Sequence, residues 1–264
     1  MIFLKPSIDP VILSLGFIDI RWYSLAYILG FLLGSFLIKK INSLYLNSLS
    51  NKQIDSFFLW SILGVILGGR IGYVLFYQFS FFLKEPIYLF KIWTGGMSFH
   101  GGLLGIIIST YFFTKINNLK FFYLSDLISV VAPIGLFLGR IANFINTELI
   151  GRPTDFYFAI IYPDVDNIPR HPSQLYEAFF EGFILFIVLF YYFVRKGSLK
   201  NYGYTSGIFL ILYSLFRFFI EFLREPDIHL GLLFNIISMG QLLSIPFFIF
   251  GLILIKYNGY KTNN

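Results

Sequence analysis

The sequence predicts an all-α polytopic membrane protein of about seven transmembrane helices, with a small extracytoplasmic loop or β element. Composition is the first reason: 57% of the 264 residues are hydrophobic, 13% are charged and 35 are phenylalanine. A water-soluble globule of this length needs more polar surface than that. The second reason is recurrence: apolar runs of about 20 residues, long enough to cross a bilayer, repeat along the chain. The third is charge placement. Lys39, Lys40, Lys52, Lys115, Lys120, Arg195, Lys196, Lys200, Lys256 and Lys261 fall in alternate loops or the C-terminal tail. Glu85, Asp155, Asp164, Asp166, Glu225 and Asp227 mark the loops between. This positive-inside bias puts the N-terminus outside and the C-terminus in the cytoplasm. The same distribution argues against nucleic acid as the reason for the net charge of +6.

The spans fall at roughly 19–38, 55–77, 97–115, 123–146, 174–194, 204–223 and 236–256. An odd number sets the termini on opposite sides, as the charge bias requires. Residues 1–264 read as one integral membrane domain, without a separate soluble domain. The opening "MIFLKPSIDPVILSLGFIDIRWYS" lacks the basic start, apolar core and small-residue site of a cleavable signal peptide. One connection is long, the extracytoplasmic excursion at about 147–173. It holds Pro153, Pro163, Pro169 and Pro172 and the partly alternating "DFYFAIIYP", which suggests a short β element on the outer face. No internal repeat or low-complexity segment is visible, which weakens an inverted-repeat transporter.

Polar groups then stand where lipid should be. Arg70, Asp126, Arg140, Glu177, Glu181, Arg217 and Glu221 lie within spans. Each costs about 2.5–3.5 kcal/mol at a helix centre on insertion scales, so such groups face a bundle interior or a wet cavity. Arg217, Glu221 and Arg224 follow i, i+4, i+7 and share one helix face; Arg140 and Asn143 share another. Arg217 and Glu221 can simply pair to make insertion tolerable. Arg140 has no acid at helical spacing before its span ends.

"GGMSFHGG", residues 95–102, sets His100 among four glycines at a membrane boundary. Histidine moves protons near neutral pH, and glycine lets a backbone approach a ligand closely. An interfacial histidine beside a flexible turn is the plainer alternative. Ser98 is two residues away and diverges from His100 on a helix, a poor dyad. His171 and His229 read as structural. Gly68, Gly69 and Gly72 suit close helix packing, and Arg70 can snorkel outward. Trp22 and Tyr23 fit an interface belt as well as a site.

Together these groups suggest an anion held within the outer leaflet, gripped by arginines and an asparagine amide. A phospholipid headgroup is the natural candidate. With no cysteine in the chain, any thiol chemistry must draw its sulfur from the substrate. The scattered histidines and the absence of HExxH argue against a metal, and no nucleotide motif stands in context. A phospholipid or anion transporter is the alternative, but it would place polar residues along a path to both sides. An intramembrane protease lacks a convincing pair, and a scaffold leaves the clustered arginines unexplained.

"GRIANFINTELIGRP" closely resembles the signature G-R-x-x-N-F-x-N-x-E-x-x-G of the bacterial phosphatidylglycerol–prolipoprotein diacylglyceryl transferase family. Gly139, Arg140, Asn143, Phe144, Asn146, Glu148 and Gly151 fill it. "RWYSLAY", "GGRIGYVLFY", "GGMSFHGGLLG", "RHPSQLYEA" and "FRFFIEFLREPD" resemble further family segments in the same order. The resemblance implies transfer of the diacylglyceryl group of phosphatidylglycerol to the lipobox cysteine of a prolipoprotein signal peptide. A thioether forms and glycerol-1-phosphate leaves. It implies no cofactor, and a site near the outer leaflet of the bacterial inner membrane. His100, Arg140, Arg217 and Glu148 are then the expected catalytic residues. Tyr23, Arg140, Asn143, Glu221 and Gly151 are expected to bind phosphatidylglycerol. His100 is the first choice for the base that takes the thiol proton, Glu148 the second.

Overall fold

The computed structural model describes residues 3–16, 19–196, 201–226, 232–233 and 236–261. Lys200, Asp227 and His229 lie outside them. Among the described residues six helices are long and apolar enough to cross a membrane: Trp22–Leu46, Asn51–Tyr77, Phe99–Ile116, Phe121–Ile145, Ser173–Arg195 and Met239–Tyr257. A shorter apolar helix, Tyr204–Ile220, brings the set to the expected seven. The protein is therefore polytopic. Its residues group into two compact units, Ile38–Ser125 and Met1–Leu37 with Asp126–Asn264.

The unit Ile38–Ser125 is built on α2 (Asn51–Tyr77), α3 (Phe79–Lys84) and α4 (Phe99–Ile116), with α1 (Trp22–Ile41) leading into it. A capping box starts α2: Ser50 Oγ accepts from the Gln53 amide at 3.2 Å and Gln53 Oε1 accepts from the Ser50 amide at 2.9 Å. Gly64, Gly68 and Gly72 on α2 face Gly101, Gly105 and Ser109 on α4 so closely that a Cβ at Gly72 would sit 2.8 Å from the Gly101 Cα. Small residues thus set the helix contact, as the sequence predicts.

Arg70 corrects the outward reading. It is 2% exposed, because its guanidinium turns inward to backbone carbonyls. It donates to Tyr88 O at 2.7 Å, Leu89 O at 3.2 Å and Gly95 O, and its charge sits 4.6 Å from the Tyr88 ring centroid. A buried guanidinium whose N–H groups meet five oxygen acceptors is better placed there than exposed to lipid. The bonds tie down the Tyr88–Gly96 segment that leads to α4.

The other unit begins with β1 (Phe3–Leu4) and a hairpin of β2 (Val11–Ser14) and β3 (Asp19–Arg21), then the first part of α1. This hairpin is not foreseen by the apolar pattern. The rest is α5 (Phe121–Ile145) from Asp126 onward, β4 (Ile160–Ile161), β5 (Pro169–Arg170), α6 (Ser173–Glu177), α7 (Leu185–Lys196), α8 (Tyr204–Ile220), β6 (Leu232–Leu233), β7 (Ile237–Ser238) and α9 (Met239–Lys261). The expected β element is present: β4 pairs antiparallel with β5 and parallel with β1 in a small three-stranded sheet. Arg170 locks it, with Asp166 at 2.6 Å, Glu225 at 2.5 Å and the Gly151 carbonyl at 3.1 Å. Asp126 proves to be a cap. Gly203 opens α8 without a side chain, so Asp126 accepts instead from the Gly203 amide at 2.7 Å and from the Ser206 amide and hydroxyl at 2.8 and 2.7 Å.

Candidate active site

Three helical segments of the larger unit bring charges together. Arg140 and Asn143 stand near the end of α5. Glu177 closes α6, and Glu181 follows in the π-helical run Ala178–Ile184. Such widened turns recur at functional sites because they re-aim side chains. Arg217 stands in the last turn of α8, with Glu221 just after it.

The ion pairs form one ladder. Glu181 meets Arg140 at 3.1 Å; Arg140 meets Glu177 at 3.2 Å; the other Glu177 oxygen takes Arg217. Arg217 meets Glu221 at 2.8 Å, and Glu221 meets Arg224 at 3.7 Å. Glu177 and Glu181 are fully buried, while the side chains of Arg140 and Arg217 remain 16% and 12% exposed. The carboxylates of Glu177 and Glu181 are thus the sealed base of the ladder, and the arginine side chains carry its small exposed part. Each guanidinium has five N–H donors in a planar fork, so pairing with one or two carboxylates leaves capacity for an anion.

A second polar group lies around Asn143. Its amide donates to the Tyr23 hydroxyl at 2.5 Å and to Glu148 at 3.0 Å; Asn146 reaches Glu148 at 3.4 Å. The chain folds back here through Thr147 and Leu149, with φ of 59° and 56°, a left-handed conformation uncommon for such residues. The turn is held from α6. Ser173 Oγ donates to Leu149 O at 2.7 Å and the Gln174 amide to Glu148 O at 2.6 Å. Tyr162 in turn bonds Gln174 at 3.0 Å, and burial raises its phenol pKa above the usual value. Gly151 packs on the His171 backbone; a Cβ there would lie 2.7 Å from the His171 Cβ. Close approach alone therefore demands glycine.

An apolar cavity of about 430 Å³ opens beside the ladder, lined by Phe156, His171, Tyr176, Phe180, Ile220 and Leu223. Burial lowers the His171 pKa from its ordinary value, because the imidazolium loses solvation.

Within this unit Arg140, Arg217 and Glu221 share the ladder, and Tyr23, Asn143 and Glu148 share the second group. Gly151 supports them through its bridge to Arg224. His100 belongs to the other unit. It sits in the first turn of α4, after the Ser98 cap, which accepts from the Gly101 amide at 3.2 Å. It is exposed and, with Phe76, Tyr77 and Ser98, lines an open cavity of about 310 Å³. Glu177 and Glu181 carry no role in the sequence reading beyond being charged groups within spans. Helical spacing reveals partners on one helix, whereas these reach Arg140 from 37 and 41 residues away. Among the described residues no three His, Cys, Asp or Glu side chains gather as a metal site.

Arginines from two helices fixed on a buried carboxylate, in a chain of helices long and apolar enough to cross a bilayer, define the class: a polytopic membrane protein with a charged cluster among its helices. Residues 10–257 match the family described as prolipoprotein diacylglyceryl transferase. The chain belongs to that family. It is 50% identical over 256 residues to a phosphatidylglycerol–prolipoprotein diacylglyceryl transferase of Rickettsia felis, covering 97% of this chain and 99% of that one. The transferase of the same name from Rickettsia typhi is 52% identical over 250 residues, covering 95% and 96% of the two chains. That of Rickettsia bellii is 48% identical over 250 residues.

Proposed function

We infer that the protein transfers the diacylglyceryl group of phosphatidylglycerol to the cysteine thiol of a prolipoprotein, and that the Arg140–Glu177–Arg217 bridge is its phosphate-handling centre. The observation that carries this is the bridge itself: two guanidiniums from different helices are fixed on one buried carboxylate in a chain that aligns over 97% of its length with such a transferase.

The chemistry follows from the charges. The donor phosphate is a diester with one negative charge. As its bond to the diacylglyceryl carbon breaks, a second charge develops on the departing glycerol-1-phosphate. Arg140 and Arg217, preorganised by Glu177, stabilise that charge in a site of low dielectric. Asn143 and Tyr23 orient the headgroup, Glu221 steadies Arg217, and Gly151 keeps the turn close. The acceptor thiol has an ordinary pKa of about 8.5 and attacks as its thiolate. His100 is assigned the thiol proton, with Glu148 second in line. A thioether forms.

The charge bias of the loops supports placement in the bacterial inner membrane with the N-terminus outside, the C-terminus in the cytoplasm and the reaction near the outer leaflet. Residues 1–264 serve as one transferase domain. The test uses purified protein in detergent with phosphatidylglycerol and a lipobox peptide. Glycerol phosphate release matched by a diacylglyceryl mass gain on the peptide supports the reading. Lipid binding without peptide modification, where a known transferase works, overturns it.

A further inference from the structure

The ladder sets three arginines, Arg140, Arg217 and Arg224, against three carboxylates, Glu177, Glu181 and Glu221, so the formal charges of these six side chains balance. The lipid it is proposed to receive carries a negative phosphate. An extra anion among buried charges is unfavourable unless one negative charge is removed. Protonation of a carboxylate removes one.

The three carboxylates differ. Glu177 puts one oxygen on Arg140 and the other on Arg217. Glu221 meets both Arg217, at 2.8 Å, and Arg224, at 3.7 Å, through its one oxygen Oε2. Glu181 meets a single guanidinium, that of Arg140, through Oε2 at 3.1 Å, and its Oε1 is buried with no hydrogen-bond partner among the described residues. A proton added at Oε1 neutralises the carboxylate but leaves Oε2 free to keep accepting the Arg140 hydrogen bond. The charged and titratable groups facing Glu181 are Arg140 from α5, Glu177 one turn earlier, and Arg217 and Tyr213 from α8.

We propose that Glu181 takes up one proton from solvent as the anionic headgroup of phosphatidylglycerol binds beside Arg140, and returns it when the phosphate product leaves. The inference rests on the lipid-transfer reading above. Glu181 is on this account a positioning residue: it holds Arg140 and adjusts the charge of the ladder.

The test is calorimetry of binding to a diether phosphatidylglycerol in buffers of different ionisation enthalpy, from about pH 6 to about pH 9. The wild-type protein should take up about 0.5–1 proton per lipid at the maximum, and Glu181→Gln less than about 0.2. Wild-type binding without proton uptake at any pH overturns the proposal, as does equal uptake by Glu181→Gln. If that variant does not fold, the infrared difference spectrum of the wild type on lipid addition decides. The diether lipid contributes no ester carbonyls, so a protonated carboxylic acid band must appear; its absence overturns the proposal. Glycerol phosphate release from ordinary phosphatidylglycerol in the presence of the lipobox peptide, run alongside, separates the two readings. Release without proton uptake removes only the role of Glu181, whereas failure to bind or turn over the lipid removes both.

Discussion

Glu177 and Arg140 meet at 3.2 Å across α6 and α5, and the Glu177 side chain is fully buried while that of Arg140 stays partly exposed. The other Glu177 oxygen holds Arg217. One side chain thus sets the spacing of both cations. Glu177→Gln should leave two buried guanidiniums short of a counter-charge. Breaking a buried pair from one side costs about 3–5 kcal/mol. The thermal midpoint in detergent should fall, and kcat should drop at least about tenfold because the arginines lose their alignment. A variant with unchanged midpoint and turnover would show that the bridge does not organise the site.

Asp126 makes the opposite prediction. Its three hydrogen bonds cap the start of α8, at the end of that helix away from Arg217. Asp126→Ala should cost about 1–2 kcal/mol of stability, the usual worth of a helix cap. The protein that remains folded should keep its kcat. A large loss of kcat at unchanged stability would give Asp126 a part in the chemistry.

His171 links stability to pH. Its folded pKa lies below 6.5 because burial disfavours the imidazolium. The unfolded chain therefore binds more protons between the two values. Stability is fully present above 6.5 and is lost as pH falls through the folded pKa. The midpoint of the wild type should decline on acidification below about pH 6.5, and His171→Gln should flatten that part of the profile. Identical profiles for the two proteins would contradict the assignment.

His100 carries the proton prediction. His100→Asn keeps a polar side chain of similar reach but cannot take up the thiol proton. Its kcat should fall about 10²-fold, the usual contribution of a general base, with less effect on the KM for phosphatidylglycerol. Near-normal transfer would move the role to another group, Glu148 first.

Much of this protein is legible in its sequence. The spans are visible because lipid tolerates few charges, so apolar runs end close to where helices end. The β element shows in the prolines and alternation around "DFYFAIIYP". The Arg217–Glu221 pair shows because i, i+4 neighbours share a helix face, and the structure sets them 2.8 Å apart. What stays hidden depends on contacts between segments. Arg70 looks free to reach the interface, yet the carbonyls that claim it come from 18 to 25 residues downstream. Glu177 and Glu181 look like isolated costs until α6 is laid beside α5. The fold-back at Thr147–Leu149 needs left-handed residues that carry no glycine signal. The hairpin of β2 and β3 is too short to stand out from the apolar span that follows it.

The central claim is that the forked guanidiniums of Arg140 and Arg217 stabilise the departing phosphate. Lysine keeps the charge but not the fork, so it separates phosphate recognition from simple charge balance. The most direct measurement is the rate of glycerol phosphate release from phosphatidylglycerol, with the lipobox peptide as acceptor, by Arg140→Lys and Arg217→Lys, read beside their thermal midpoints. Folded variants with rates reduced about 10²–10³-fold, the cost of losing a preorganised anion donor, are the predicted result. Folded variants with near-wild-type rates would contradict the account.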